Sequence, residues 1–178
     1  DKLILKNKER KNNDYIHGEA DAIVGDMVYD IKNAFDLFTF GKADLTTDYY
    51  WQLVGYMWLW DKPKARLFYC LNNTPEHILC DEERKLFYAG HFASYENPNY
   101  QKACEELRIA HNYDSMQMWE RFKVWDLERK DDDIQALTEK INLCRKHLNK
   151  LQQARDEQLH TNISLMKGDP SILLATNE

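Results

Sequence analysis

The first part of the chain alternates between apolar and polar residues over two short stretches, residues 15–24 and 27–32. This period of two is typical of half-buried β-strands. Gly25 and Asp26 separate the two stretches, and a Gly-Asp pair at such a point favours a two-residue hairpin turn. The pattern therefore predicts an antiparallel hairpin whose strands pair symmetrically about this turn.

After the hairpin, the pattern predicts a loop over residues 33–45, then a helix, then a buried strand. Thr46 or Thr47 is the expected N-cap of the helix, because its hydroxyl can accept a hydrogen bond from the first helical turn. The helix is expected to end near Trp60. Residues 65–71 form an apolar run of the length of a buried strand. Hairpin, helix and strand together predict an α/β core.

The second half of the chain, from about residue 98 onward, has the periodicity and charge of helices. One helix is predicted over residues 116–129. Apolar residues of the following helix recur at alternating spacings of 3 and 4, a heptad-like seam. The seam consists of Ile134, Leu137, Ile141, Cys144, Leu148 and Leu151. It favours packing against the 116–129 helix in a helical hairpin, and an intermolecular coiled coil is the alternative.

The expected organisation is a core over residues 1–97 and a helical extension over residues 98–178 that packs on or beside it as one compact unit. The sequence has 178 residues and a net charge of −6, so attraction of the whole protein to a polyanion is excluded. Any nucleic-acid contact must then depend on local patches or on metal ions. No stretch approaches about 18 unbroken apolar residues, and no secretory signal is visible, so no membrane partner is expected.

Three carboxylates and one lysine fall on the same face of the predicted hairpin. In the symmetric register Asp21 lies directly opposite Asp30, and Glu19 lies opposite Lys32. Directly opposed aspartates repel each other, and a divalent cation such as Mg²⁺ would offset the repulsion. The backbone carbonyl of Ile31 is a third candidate ligand. The alternative is a solvated polar face with an ordinary Glu19–Lys32 salt bridge.

A metal ion beside a lysine can hydrolyse a phosphodiester bond. The ion polarises the phosphoryl oxygen and lowers the pKa of bound water. Lys32 would hold or deprotonate the attacking water and would stabilise the developing negative charge. Phe35, Phe38 and Phe40 in the predicted loop would either pack beneath the following helix or wedge a duplex end.

Three short motifs occur in order along the predicted strand, strand and helix. They are Gly18-Glu19-Ala20-Asp21, Asp30-Ile31-Lys32 and Gln52-Leu53-Val54-Gly55-Tyr56. In this order the motifs resemble the PD-(D/E)XK nuclease superfamily, in the lambda-exonuclease-like or YqaJ-type branch, which carries a QxxxY motif. The resemblance implies a restriction-endonuclease-like core, with a mixed sheet, a central catalytic hairpin and flanking helices.

The resemblance also implies roles for individual residues. Asp21, Asp30 and the Ile31 carbonyl would bind one or two Mg²⁺ or Mn²⁺ ions, and Lys32 would be the catalytic lysine. Glu19 would be a catalytic residue that binds a water or a second metal ion.

Two residues of the predicted helix complete the site implied by the resemblance. Gln52 and Tyr56, one helical turn apart, would point toward the site and touch the lysine or the DNA backbone. No iron–sulfur cluster is expected, because the first cysteine is Cys70 and the cysteines do not cluster.

The activity implied by the resemblance is a metal-dependent DNA exonuclease that hydrolyses linear double-stranded DNA during phage recombination. The expected location is the cytoplasm of a bacterial host carrying a phage or prophage. Duplex ends would be the substrate, a single-strand annealing protein a partner, and a homo-oligomer the assembly. Two alternatives stay open: a structure-specific or restriction-type endonuclease, and a non-catalytic adaptor that binds protein partners through its helical half.

Overall fold

The computed structural model describes residues 5–168. The chain divides into two compact units, one up to Lys130 and one from Asp131 onward. The sequence placed this boundary after residue 97. The boundary lies later because a strand from the predicted helical half joins the sheet of the first unit.

A four-stranded mixed sheet forms the centre of the first unit. Its strands are β3 (Ala22–Val24), β4 (Met27–Ala34), β5 (Lys64–Leu71) and β6 (Phe122–Glu128), in the order β3-β4-β5-β6. β3 and β4 are antiparallel, β4 and β5 parallel, and β5 and β6 antiparallel. Two further short strands, β1 (Lys11–Asn12) and β2 (His17–Gly18), form a separate antiparallel pair. The predicted α/β class, with a mixed sheet, flanking helices and a helical C-terminal part, is confirmed.

The predicted hairpin is confirmed at its turn, where Val24 pairs with Met27 and Gly25 has a positive φ of 60°. The prediction of one continuous strand over residues 15–24 is wrong. That stretch is divided into β2, which pairs with β1, and β3, which pairs with β4. The division occurs because the alternation describes side chains only, while the backbone of residues 17–18 finds its hydrogen-bond partners in an earlier segment.

Five helices and a short 3₁₀ turn complete the described elements. They are α1 (Leu37–Lys42), α2 (Thr47–Trp60), α3 (Glu76–Ala89), α4 (Pro98–Ala110), the 3₁₀ turn (Met118–Arg121) and α5 (Asp131–Met166). α1 lies within the stretch predicted as a loop, so that prediction is wrong there.

Helix α2 links the two parallel strands and covers one face of the sheet. Thr46 caps its start, accepting a hydrogen bond from the Tyr49 N–H, and the helix ends at Trp60, followed by the C-cap Asp61 in the left-handed region with a φ of 48°. Leu53 and Met57 on its buried side contribute to the core with Val28 of β4. The face of β4 that carries Val28 is therefore buried, which decides the environment of the polar residues on the same face.

The predicted helix over residues 116–129 is wrong, because most of that stretch forms the 3₁₀ turn and strand β6. Phe122 lies opposite Cys70, and Leu127 lies opposite Ala65. The strand alternates between more and less exposed residues, and Phe, Val and Trp at neighbouring positions favour extended backbone. The backbone groups along that edge of β5 are thereby paired, which outweighs the weak helical periodicity.

The second unit contains the long helix α5, whose 36 residues span about 54 Å. Since residues 116–129 are not helical, the predicted helical hairpin is wrong. Leu148 and Leu151 of the seam are 61% and 54% exposed. Among residues 5–168, no helix is both long and apolar enough to cross a membrane.

Asp36 is the N-cap of α1, and its carboxylate accepts a hydrogen bond of 2.7 Å from the Thr39 N–H. This bond holds the pKa of Asp36 below its usual range. We expect Asp36→Ala to lower the free energy of unfolding by about 1 kcal/mol and Asp36→Asn, which keeps an acceptor, by a few tenths. Urea denaturation at neutral pH measures both.

The same substitution has a predictable pH dependence. A depressed pKa means that the carboxylate stabilises the fold above about pH 4 and loses this effect as the pH falls through the lowered value. The difference in free energy of unfolding between the wild type and Asp36→Ala is therefore expected to become smaller in acid. An alanine variant as stable as the wild type at pH 7 would contradict the capping role.

Candidate metal centre and active site

A local irregularity at the start of β3 places Asp21. Ala22 pairs with Tyr29, and the Asp21 N–H also donates to the Tyr29 carbonyl, at 3.1 Å. Two residues thus stand opposite one, as in a β-bulge, a feature that often re-aims side chains beside active sites. Asp21 and Asp30 are therefore not the directly opposed pair that the symmetric register predicted.

The Asp21 carboxylate accepts a backbone hydrogen bond from β4, in the place of a carbonyl of a paired strand. Its Oδ2 accepts a hydrogen bond of 2.7 Å from the Ile31 N–H. In an extended strand the N–H and C=O of one residue point to the same edge, so the Ile31 carbonyl also faces the side where Asp21 lies. β3 begins only at Ala22, so the Ile31 carbonyl lies beyond its ladder. Asp21 and this carbonyl form one oxygen-rich edge.

Asp30 and Lys32 lie on the covered face of β4, the face that also carries Val28. Asp30 is 3% exposed, and Lys32 Nζ is 2.8 Å from Asp30 Oδ2. The ammonium approaches this oxygen off the hydrogen-bonding direction, so Oδ2 is buried in ionic contact without an aligned hydrogen bond. The proposed alternative of a solvated polar face therefore does not describe these two residues.

The electrostatics of the pair follow from burial and from three charges. Burial raises the pKa of Asp30, the contact with Lys32 opposes this, and the charge of Asp21 adds to it, with a net rise. Burial lowers the pKa of Lys32, but contact with Asp30 outweighs it and the pKa lies above its usual value. Lys32 is therefore a protonated ammonium beside a carboxylate whose cost of burial it offsets only in part.

Helix α2 presents three polar residues to the pair, spaced 3 and 4 apart on one face: Tyr49, Gln52 and Tyr56. Gln52 Nε2 donates to the Tyr56 hydroxyl at 2.9 Å. Burial raises the pKa of Tyr56, the bond from Gln52 lowers it, and the charge of Asp30 raises it again. The Lys32 ammonium lies 5.2 Å from the centre of the Tyr49 ring.

Gly18 has a packing reason to be glycine. A Cβ atom at this position would lie 2.9 Å from Tyr56 Cε1 and 3.4 Å from Leu59 Cδ1. Such a contact is too short for an unaltered structure, so any larger residue would displace the Tyr56 ring. Gly18 of the first motif thus leaves room for the ring of Tyr56 in the third motif.

Two residues differ from the sequence-based picture of the site. Glu19 is exposed, and no sheet pairing joins it to Lys32, since β3 begins only at Ala22. Tyr49 was not predicted as a site residue, although its position one turn before Gln52 was a visible signal. The other predicted residues, Asp21, Asp30, Ile31, Lys32, Gln52 and Tyr56, lie together.

The donor set matches a hard divalent cation that keeps several waters. Among residues 5–168, no cluster of three or more His, Cys, Asp or Glu side chains could hold a metal. Asp21 and Asp30 with the Ile31 carbonyl offer two carboxylates and one backbone oxygen, and Mg²⁺ commonly takes one or two carboxylates together with substrate phosphates. The buried, unaligned Asp30 Oδ2 is an acceptor that such an ion would satisfy.

The fold has a counterpart among solved structures. The chain is similar to a phage-related exonuclease from Haemophilus somnus 129PT, with a TM-score of 0.61 and 22% sequence identity. The similarity covers 86% of this chain, which spans 63% of the length of that structure. No protein-family model matches the sequence, and no curated protein matches it either. The likeness therefore shows a nuclease-like fold.

Proposed function

We propose that the chain is a metal-dependent DNA exonuclease of the PD-(D/E)XK type, acting on linear double-stranded DNA. The observation that carries the proposal is the buried Asp30 carboxylate in contact with Lys32, next to the bulge that turns Asp21 toward Ile31. Apolar residues in place of a buried ion pair are often neutral or stabilising, so stability alone does not account for the carboxylate at this position. The likeness of the fold to a phage-related exonuclease supports the same class.

In the proposed mechanism, Asp21, Asp30 and the Ile31 carbonyl hold a divalent ion, either Mg²⁺ or Mn²⁺. When bound, the ion supplies Lewis-acid chemistry at the scissile phosphate. Lys32, kept protonated by its neighbour, donates to the attacking water or to a phosphate oxygen and stabilises the negative charge of the transition state. Gln52 and Tyr56 orient the Lys32 side of the site. Exposed Glu19 contacts a water or a second ion only if substrate binding draws it in.

The biological setting of the proposal follows the phage-related character of the similar structure. We infer a role in phage recombination inside a bacterial host cell, where a resected end passes to a single-strand annealing protein. Assembly into a homo-oligomer belongs to the same proposal. Since the net charge is −6, DNA contact would depend on the bound metal and on local cationic groups.

The experiment that tests the activity compares two DNA forms at equal concentration. The wild-type protein with Mg²⁺ or Mn²⁺ is expected to degrade linear duplex DNA, to leave covalently closed circles intact, and to stop when EDTA is added. Cleavage of the closed circles would favour the endonuclease alternative. Failure to cleave any DNA, together with no heat of Mn²⁺ binding in a calorimetric titration, would favour a non-catalytic adaptor.

A further inference from the structure

We propose that a groove between α1 and α2 binds a single nucleotide beside the scissile phosphate, with its base stacked on Phe38 and its phosphate held by Lys42. The proposal rests on the proposed nuclease function and names a DNA subsite for it. The groove has a volume of about 270 Å³, and its lining includes Phe38, Thr39, Lys42, Thr46, Tyr49 and Tyr69. Pockets for whole small molecules measure about 300–1,000 Å³, so this one suits a single ring system.

Phe38 places an exposed aromatic ring at the groove. Phe38 is 71% exposed, whereas Phe40, two positions later on the same helix, is 8% exposed and belongs to the core. The Lys42 ammonium lies 3.8 Å from the centre of the Phe38 ring and covers one of its faces. Because the residue is 71% exposed, ring surface beside this cation is open to solvent. An aromatic face beside a cation is the combination that single-stranded nucleic acid binds, by base stacking and phosphate contact.

Helix α1, which carries this ring, is anchored at both ends. The Asp36 carboxylate caps the start of the helix, and Phe40 packs in a buried cluster with Tyr69 and Tyr113. At the other end, Lys123 Nζ donates to the carbonyls of Gly41 and Ala43, at 2.9 Å and 3.1 Å. An exposed ring on an anchored helix loses little entropy on binding, which is the benefit of preorganisation.

The groove adjoins the candidate active site through Tyr49. Tyr49 lines the groove, and its ring lies 5.2 Å from Lys32 Nζ. A strand that places a phosphate at Lys32 can therefore place its neighbouring nucleotide over Tyr49 and toward Phe38. The one carboxylate lining the groove, Asp44, already accepts a hydrogen bond of 2.7 Å from the Leu45 N–H.

A double-substitution experiment tests the stacking directly. One abasic nucleotide is scanned through the first positions of a linear duplex, and cleavage is measured with the wild type and with Phe38→Ala. Stacking on an aromatic ring is worth about 1–3 kcal/mol per base, so Phe38→Ala should lower kcat/KM by about 5- to 150-fold on intact DNA. At one abasic position that penalty should disappear, because base and ring form one coupled pair.

Matched variants separate stacking from damage to the fold. Phe38→Trp is expected to restore cleavage, and Trp119→Ala, at a residue 69% exposed outside the groove, is expected to leave it unchanged. Lys42→Ala should reduce the magnitude of the slope of log affinity against log salt concentration by about 1, the value for one lost phosphate contact. A Phe38→Ala penalty that is equal for intact and abasic DNA at every position would overturn the proposal, as would the absence of any penalty.

A binding measurement keeps this test independent of catalysis. An oligonucleotide with phosphorothioate linkages and 2-aminopurine near its end is titrated with protein, and stacking quenches its fluorescence. Quenching by the wild type but not by Phe38→Ala supports the groove even if no DNA is cleaved, in which case only the proposed function fails. Cleavage of DNA with identical quenching by both proteins overturns the groove and leaves the proposed function standing.

Discussion

Replacing Lys32 by alanine is expected to lower the rate of DNA hydrolysis by a factor of about 10² to 10³ while the protein stays folded. Removal of one preorganised charge-stabilising group commonly has an effect of this size. The Lys32 side chain is 24% exposed, and its ammonium lies 2.8 Å from Asp30 Oδ2, so it can reach a phosphate at the site. Single-turnover cleavage of a linear duplex with saturating Mn²⁺ measures the chemical step.

A control lysine separates a local role from a general loss of positive charge. Lys102 on α4 has a side chain that is 75% exposed and forms a 3.8 Å salt bridge with Glu106. Lys102→Ala removes the same charge and is expected to cleave DNA at the wild-type rate. Equal rates for Lys32→Ala and the wild type would refute the assignment of Lys32, whatever the behaviour of the control.

Asp30→Asn is expected to produce a protein without nuclease activity that is at least as stable as the wild type in EDTA. The pKa of Asp30 is raised by burial even after the attraction of Lys32 is included. At neutral pH the ionised carboxylate therefore costs folding free energy, and the neutral amide avoids that cost while the Lys32 side chain, 24% exposed, keeps contact with water. Chemical denaturation of both proteins at pH 7 in EDTA measures the difference.

The pH dependence of this difference has a definite sign. Below about pH 4 the carboxyl is protonated in both the folded and the unfolded chain, and Asp30 then resembles the amide. The cost appears as the pH rises through the raised pKa of the folded state. The advantage of Asp30→Asn is therefore expected at neutral pH and should shrink in acid. A variant much less stable than the wild type at pH 7 would contradict the unfavourable burial of Asp30.

Added metal ion is expected to reverse the order of stability. A ligand at 100 times its dissociation constant stabilises the folded state by about 2.7 kcal/mol. Mn²⁺ should thus raise the melting temperature of the wild type and leave that of Asp30→Asn nearly unchanged. Asp36→Asn, which loses a carboxylate outside the site, is the matched control and should respond to Mn²⁺ like the wild type. If Mn²⁺ raised the melting temperature of Asp30→Asn as much as that of the wild type, Asp30 would not be a metal ligand.

The sequence alone determined the features that depend on neighbouring residues. The Gly25-Asp26 turn, the cap at Thr46, the end of α2 at Trp60 and the strand over residues 65–71 all agree with the structure. Each has a local physical cause, such as a positive φ, a capping hydroxyl or an apolar run. The order of the three motifs along the chain was visible in the same way and pointed to a nuclease-like fold.

Only the tertiary structure decided the features that depend on distant backbone partners. β6 exists because residues 122–128 pair with β5, more than fifty positions earlier in the chain, and helical periodicity could not predict that pairing. The bulge at Asp21 likewise depends on where β3 stops pairing with β4.

The tertiary structure also decides how far the candidate catalytic side chains are buried. Alternation assigned Asp30 and Lys32 to one face of β4, but only the packing of α2 shows that this face is covered and that Tyr49 reaches Lys32. Residue types and spacing specify which groups share a face, whereas the dielectric around those groups depends on what the rest of the chain places over them.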